Sequence, residues 1–183
     1  MPRKPSVTRE AMVEGAFQLV RAQGHDALTA RSLAAALGCS TQPIMYQFPS
    51  LSELREAVYQ QADAYHTSYI LSGNGLLEIG MRYIQFAADE PALFRLLFQS
   101  GHFDGTSLLD LIQAPEAAPL LSAMGPVSSN PETDARRFEA LFVAVHGYAS
   151  LIANNAMSFD PEEIRATLTA IGKALLGKEG QEC

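Results

Sequence analysis

Only two cysteines, Cys39 and Cys183, occur in 183 residues, and they lie far apart, which excludes a disulfide framework. Long apolar runs are missing too. ALFRLLF and ALFVAV break off well short of the ~18 residues that a membrane-spanning helix needs. The opening MPRKPSVTRE has basic residues but no apolar stretch behind them, so no signal peptide is expected and a cytoplasmic protein is predicted. Charged residues make up only 18% against 48% hydrophobic, enough apolar material for a core and too much for a disordered chain.

Basic charge is the scarcer sign, with 13 Lys and Arg against 20 Asp and Glu and a net charge of −7. Taken whole, that balance speaks against a polyanionic partner. Its distribution does not. Residues 1–50 hold Arg3, Lys4, Arg9, Arg21 and Arg31 against Glu10, Glu14 and Asp26, a balance of +2, and the remainder carries −9. A mildly basic head can meet a polyanion if the acidic body stays clear. Arg3, Lys4 and Arg9 suit either an arm along a nucleic-acid backbone or a solvated tail. The four histidines (His25, His66, His102 and His146) have no metal-ligand spacing, so neither a metal nor a cofactor is expected. No nucleophile–base pair or phosphate loop supports an enzyme. Basic groups are too sparse on the amphipathic segments for a membrane-surface bundle.

The hydrophobic pattern predicts helices throughout and no strand. Thr8 can cap a first helix in which Val13, Ala16, Phe17 and Val20 recur on one face, and Gly24 ends it. A second, short helix runs from Thr29 through ARSLAAAL to Gly38. Ser40 can cap a third over TQPIMYQ, with Pro43 in its first turn, where a missing N–H costs nothing. Ser50 and Glu53 form an S-x-x-E start for a long helix to about Leu71. SGNG breaks the chain. Helices are then expected over 76–89, from Pro91 to Ser100, less regularly over 106–124, from Asn130 to about Asn155, and from Asp160-Pro161-Glu162-Glu163 to Gly177.

Two short helices joined by a glycine-containing turn are the helix-turn-helix arrangement, whose second helix enters the DNA major groove. That accounts for the polar residues crowded into CSTQPIMYQF. Thr41 and Gln42 fall in its first turn, where Gln can bond adenine bidentately and Thr can meet a base edge or a thymine methyl. Tyr46 and Gln47 suit phosphates or bases at the edge of the site. Ile44 and Met45 are expected to face inward against Leu33, Leu37 and Phe48.

In this order the landmarks resemble the DNA-binding head of the tetracycline-repressor (TetR) family. Over residues 8–56 they are an amphipathic first helix, Gly24 to Leu28-Thr29, L-A-x-x-L-G at 33–38, the recognition helix, and F-P-S-x-x-E-L at 48–54. The segments FAADEPALFRLLF and AVHGYASLIA further resemble one C-terminal subtype that carries a His-Gly pair. The resemblance implies an all-α protein of about nine helices. A helix-turn-helix DNA-binding domain would occupy 1–50, and an effector-binding and dimerisation domain 51–183. It implies a homodimeric, ligand-responsive regulator, most naturally a repressor, acting on a palindromic double-stranded operator. It also places Thr29 and Arg31 on phosphates at the start of the second helix.

The sequence departs from the family pattern at three places. Met45 stands where Tyr is usual, Gln47 where His or Tyr is usual, and Leu51 where Lys is usual. Phosphate contacts supply much of the affinity for DNA, so these changes predict weak or unusually salt-sensitive binding. An alternative reading follows: a TetR-like protein with weakened DNA binding that senses a small molecule and needs a partner to act. Met81, Phe86, Phe94, Phe98, Phe142 and His146 are candidates to line a pocket for a small, apolar effector, or else ordinary core. Leu141, Val145, Tyr148, Ile164, Leu168, Ile171 and Leu175, on the last two helices, either close the monomer core or pair with their copies in a dimer.

Overall fold

The computed structural model describes residues 7–101 and 129–177, with positions 118, 120 and 122. The described residues form eight α-helices and no strand. They are α1 (Arg9–Gln23), α2 (Ala30–Leu37), α3 (Thr41–Gln47), α4 (Leu51–Leu71), α5 (Leu76–Asp89), α6 (Pro91–Gln99), α7 (Pro131–Ala153) and α8 (Pro161–Leu176). A single 3-10 turn, His25–Ala27, links α1 to α2. The helical segment expected over 106–124 lies outside the described residues except at positions 118, 120 and 122, which are helical. No described helix is long and apolar enough to cross a membrane.

The helix boundaries follow from capping chemistry. Thr8 accepts the Ala11 amide at 3.2 Å to start α1. Thr29 and Ser32 cap each other's backbone amides at 3.0 and 2.9 Å at the start of α2. Asn130 and Asp160 precede prolines at α7 and α8, and each accepts two amides of the first turn. Ser50 accepts the Glu53 amide at 3.2 Å. Ser40 has the extended backbone of a cap, but its side chain makes no cap bond.

The chain divides into two compact units. The first comprises residues 7–66 together with 92–101. Its core collects Met12, Ala16, Phe17 and Val20 from α1, Leu33 and Ala34 from α2, Ile44 and Phe48 around α3, and Leu54 and Val58 from α4. Gly15 lets α1 approach α2, because a Cβ there would meet Leu37 Cδ2 at 2.8 Å.

The second unit comprises 67–91 and the described residues from 118 onward. Here α5 packs along α7, and α8 lies against both. Ile79, Met81, Ile84, Phe86, Phe138, Ile152, Ile164 and Leu168 are buried. The Tyr69 hydroxyl donates to Asp89 Oδ2 at 2.8 Å, and its ring meets Phe86 edge-on at 5.5 Å, tying the end of α4 to α5. Arg165 on α8 donates to Glu78 on α5 at 2.6 Å. That bond holds the Glu78 carboxyl below the usual carboxylate range.

Candidate DNA-binding surface and apolar cleft

The turn between α2 and α3 decides what α3 can present. Gly38 takes the left-handed conformation (φ 63°), which a side chain would resist. Its amide donates to Ala35 O at 3.2 Å and that of Cys39 to Ala34 O at 3.0 Å, closing α2 and swinging the chain into α3. Ile44, 1% exposed, then anchors α3 to the head core. Phe48 is buried at its end, with the Arg9 guanidinium 4.6 Å above its ring.

With Ile44 inward, Thr41, Gln42, Met45, Tyr46 and Gln47 are all exposed. Tyr46 is 84% exposed, far more than an aromatic ring needs for packing. Met45 departs from its expected inward position. It is 49% exposed, because one residue past Ile44 is a rotation of about 100° around the helix. Thr29 and Arg31 are exposed at the start of α2, where the Thr29 hydroxyl serves as the cap. Leu51 is half-buried. The residues expected on DNA are therefore all accessible to solvent, Thr41 and Gln42 at the start of α3 and Tyr46 and Gln47 at its end. Arg3 and Lys4 lie outside the described residues.

The second unit contains an open-sided cavity of about 260 Å³ between α5, α7, α8 and the end of α4, most of its lining side chains only half-buried. Its walls are hydrocarbon from Ile70, Leu76, Leu77, Phe138, Leu141, Phe142, Val145, Leu168 and Leu176. Space opens there partly because Gly172 contributes no side chain to the wall, whereas at Gly80 the absent side chain lets α5 come close to Val145, which a Cβ would meet at 3.3 Å. The Tyr83 hydroxyl reaches His146 Nδ1 at 3.0 Å. Phe142 stacks on His146 at 5.6 Å and meets Tyr83 edge-on at 5.9 Å. Burial pushes the Tyr83 phenol well above its ordinary value and lowers His146, so both are neutral near pH 7.

Among the six residues expected to line a pocket, Phe142 is on the wall and His146 stands behind it through Tyr83. Met81 and Phe86 are core residues of the same unit. Phe94 and Phe98 belong to the first unit, their rings 4.9 Å apart. The cavity also takes residues expected at a dimer interface, namely Leu141, Val145 and Leu168. Ile164 and Leu168, 1% and 5% exposed, are already covered within the chain and have almost no area left for a second copy. Tyr148, Ile171 and Leu175 keep partial exposure. Outward on α7 stand Val143 and Leu151, 55% and 45% exposed, in one row with Gly147.

Tyr83, Thr169 and Lys173 escaped the sequence reading. Gly172, inside the otherwise amphipathic α8, was the available signal, since it removes volume from a face that should be filled. Among the described residues no three His, Cys, Asp or Glu side chains gather as for a metal.

The family model described as tetracyclin repressor-like, C-terminal domain, matches residues 76–175. A solved TetR transcriptional regulator from Rhodococcus sp. RHA1 is similar over 92% of this chain and 94% of its own, with 18% identity and a TM-score of 0.49. No curated protein matches the chain.

Proposed function

The chain belongs to the tetracycline-repressor-like family of DNA-binding transcriptional regulators, which are not enzymes, and on that premise we propose that it is a homodimeric, ligand-responsive repressor. Residues 1–50 serve as the DNA-binding domain, and residues 51–183 as the effector-binding and dimerisation domain of the His-Gly subtype, the pair being His146-Gly147. The observation that carries this reading is the exposed face of α3. Its polar and aromatic side chains point to solvent, while Ile44 alone fixes the helix from behind.

On DNA, Gln42 bonds an adenine and Thr41 meets a base edge or a thymine methyl. Exposed Met45 offers a second apolar contact for such a methyl. Tyr46 and Gln47 reach the backbone, as do Thr29 and Arg31 at the start of α2, where helix N-termini favour phosphate. One head reads one half-site, so two heads must sit about 34–36 Å apart, or a multiple of that. Pairing through α7 and α8 supplies the second head. The accessible row Val143, Gly147 and Leu151 on α7 supports a close helix–helix contact, with no neighbour within 4 Å of where a Gly147 Cβ would be, and Tyr148, Ile171 and Leu175 keep partly exposed area for it. A small, largely apolar effector enters the 260 Å³ cavity and favours a body conformation in which the heads no longer match successive grooves. It acts only as far as it binds the two conformations differently.

The test is selection of bound fragments from the source genome's DNA, then anisotropy titration of the best fragment across a salt series. Nanomolar binding to a palindromic site, at least fivefold weaker in Gln42→Ala, is expected from the ~1–3 kcal/mol of a bidentate base contact. Equal, weak binding to all fragments would overturn the repressor. It would favour the second reading, a sensor whose head is weakened at Met45, Gln47 and Leu51 and which needs a partner.

A further inference from the structure

We propose that the cavity of the second unit takes a small amphipathic carboxylate, its carboxyl group on Lys173 and its hydrocarbon part among the apolar walls. The inference rests on reading this cavity as the effector site.

Three lining side chains carry heteroatoms: Tyr83, Thr169 and Lys173. The Thr169 hydroxyl is turned onto its own helix, donating to Arg165 O at 2.8 Å. Tyr83 is joined to His146, and that pair offers an uncharged polar point inside the wall. Lys173 is the one cation on the lining, and it is exposed, so it stands where the cavity meets solvent.

Its surroundings distinguish it from its neighbour in the same row. Arg165, two turns earlier on α8, is occupied by Glu78 at 2.6 Å. Lys173 makes no ion pair among the described residues. A lysine is a mobile point charge that suits a single anionic group, here placed over a hydrocarbon-lined space. A neutral inner wall does nothing to stabilise a buried charge, so the ligand's charge belongs at the lysine end.

The volume sets the size. A ~150 Å³ apolar cavity accommodates benzene, so 260 Å³ suits roughly ten non-hydrogen atoms. A single-ring or medium-chain monocarboxylic acid fits that description. The competing role for Lys173 is to complement the negative end of α8, in whose last turn it lies. That role is indifferent to the charge of a ligand.

Calorimetric titration of the full chain with octanoate and with octanamide, which share a tail and differ in charge, separates these roles. Wild-type protein should bind octanoate about threefold to fivefold more tightly, the upper range for an exposed ion pair. Lys173→Met should equalise the two, and Lys173→Arg should restore the preference. Gly172→Leu, which fills the cavity from a position with nothing within 4 Å of its Cβ, should abolish binding of both. Equal binding of the two probes to wild type, or a preference that survives in Lys173→Met, overturns the carboxylate. If Gly172→Leu still removes that equal binding, the cavity itself stands. Binding of neither probe overturns the carboxylate and the cavity reading together.

Discussion

Replacing His66 with leucine should make the protein less sensitive to acid. His66 is 5% exposed, its ring edge-on to Phe98 at 5.2 Å. Burial lowers its pKa from 6.5 to about 4. In the unfolded chain the imidazole takes its proton near 6.5, whereas in the folded chain it resists until about 4. Between those values the unfolded state binds the extra proton. Stability from this site is therefore complete above about pH 6.5 and is lost as the pH falls towards 4. At ~1.4 kcal/mol per pH unit the whole interval corresponds to roughly 3 kcal/mol. Against a usual total of about 5–15 kcal/mol that is a large share. For a chain of this length each kcal/mol moves the melting temperature by about 2–4 °C, so the loss amounts to roughly 6–12 °C. Leucine keeps an apolar volume there and removes the titration. Melting curves of both proteins at pH 7 and pH 4.5 read the difference, since the carboxylates titrate in each and cancel. The wild-type drop should exceed that of the variant by most of this amount. Parallel drops would refute the assignment of the acid sensitivity to His66.

Two further substitutions test local structure. Gly73→Ala puts a Cβ 2.9 Å from the Glu78 carbonyl carbon and 3.0 Å from the Ile79 nitrogen, backbone atoms that cannot retreat without shifting α5. It should cost about 1–3 kcal/mol, seen as a lower melting temperature by circular dichroism, and an unchanged midpoint would show that the corner yields freely. Asp160→Ala removes the acceptor that holds the Glu162 and Glu163 amides at 3.0 and 3.1 Å. About 1 kcal/mol should be lost, and Asp160→Asn should keep most of it, because Asn caps equally well; equal losses in both variants would point to charge instead of capping.

Local chemistry made most helix ends readable in advance. Thr8, Gly24, Thr29, Gly38, Asn130 and Asp160 act within a few residues of themselves, so their consequences need no knowledge of the rest of the chain. The inward role of Ile44 was equally readable from periodicity. Met45 was not: on a seven-residue helix an apolar residue beside the anchor can turn either way, and only the packing of α3 against α2 leaves it outside.

The body was harder for a different reason. Periodicity identifies the apolar side of a helix but not what that side meets. Leu141, Val145, Ile164 and Leu168 have the same apolar character as Val143 and Leu151, yet the first four turn into core or cavity and the last two face solvent. Phe86 and Phe94 were as plausible a pocket lining as Phe142, and they became solid core. The amino-acid order thus specified an all-helical chain, its caps, and a head with an exposed recognition helix, all consequences of short-range hydrogen bonding and 3.6-residue periodicity. Where α5, α7 and α8 leave a space, and which lysine stands beside it, depended on how three separately specified helices fit together, because a cavity belongs to the gap between surfaces and not to any one of them.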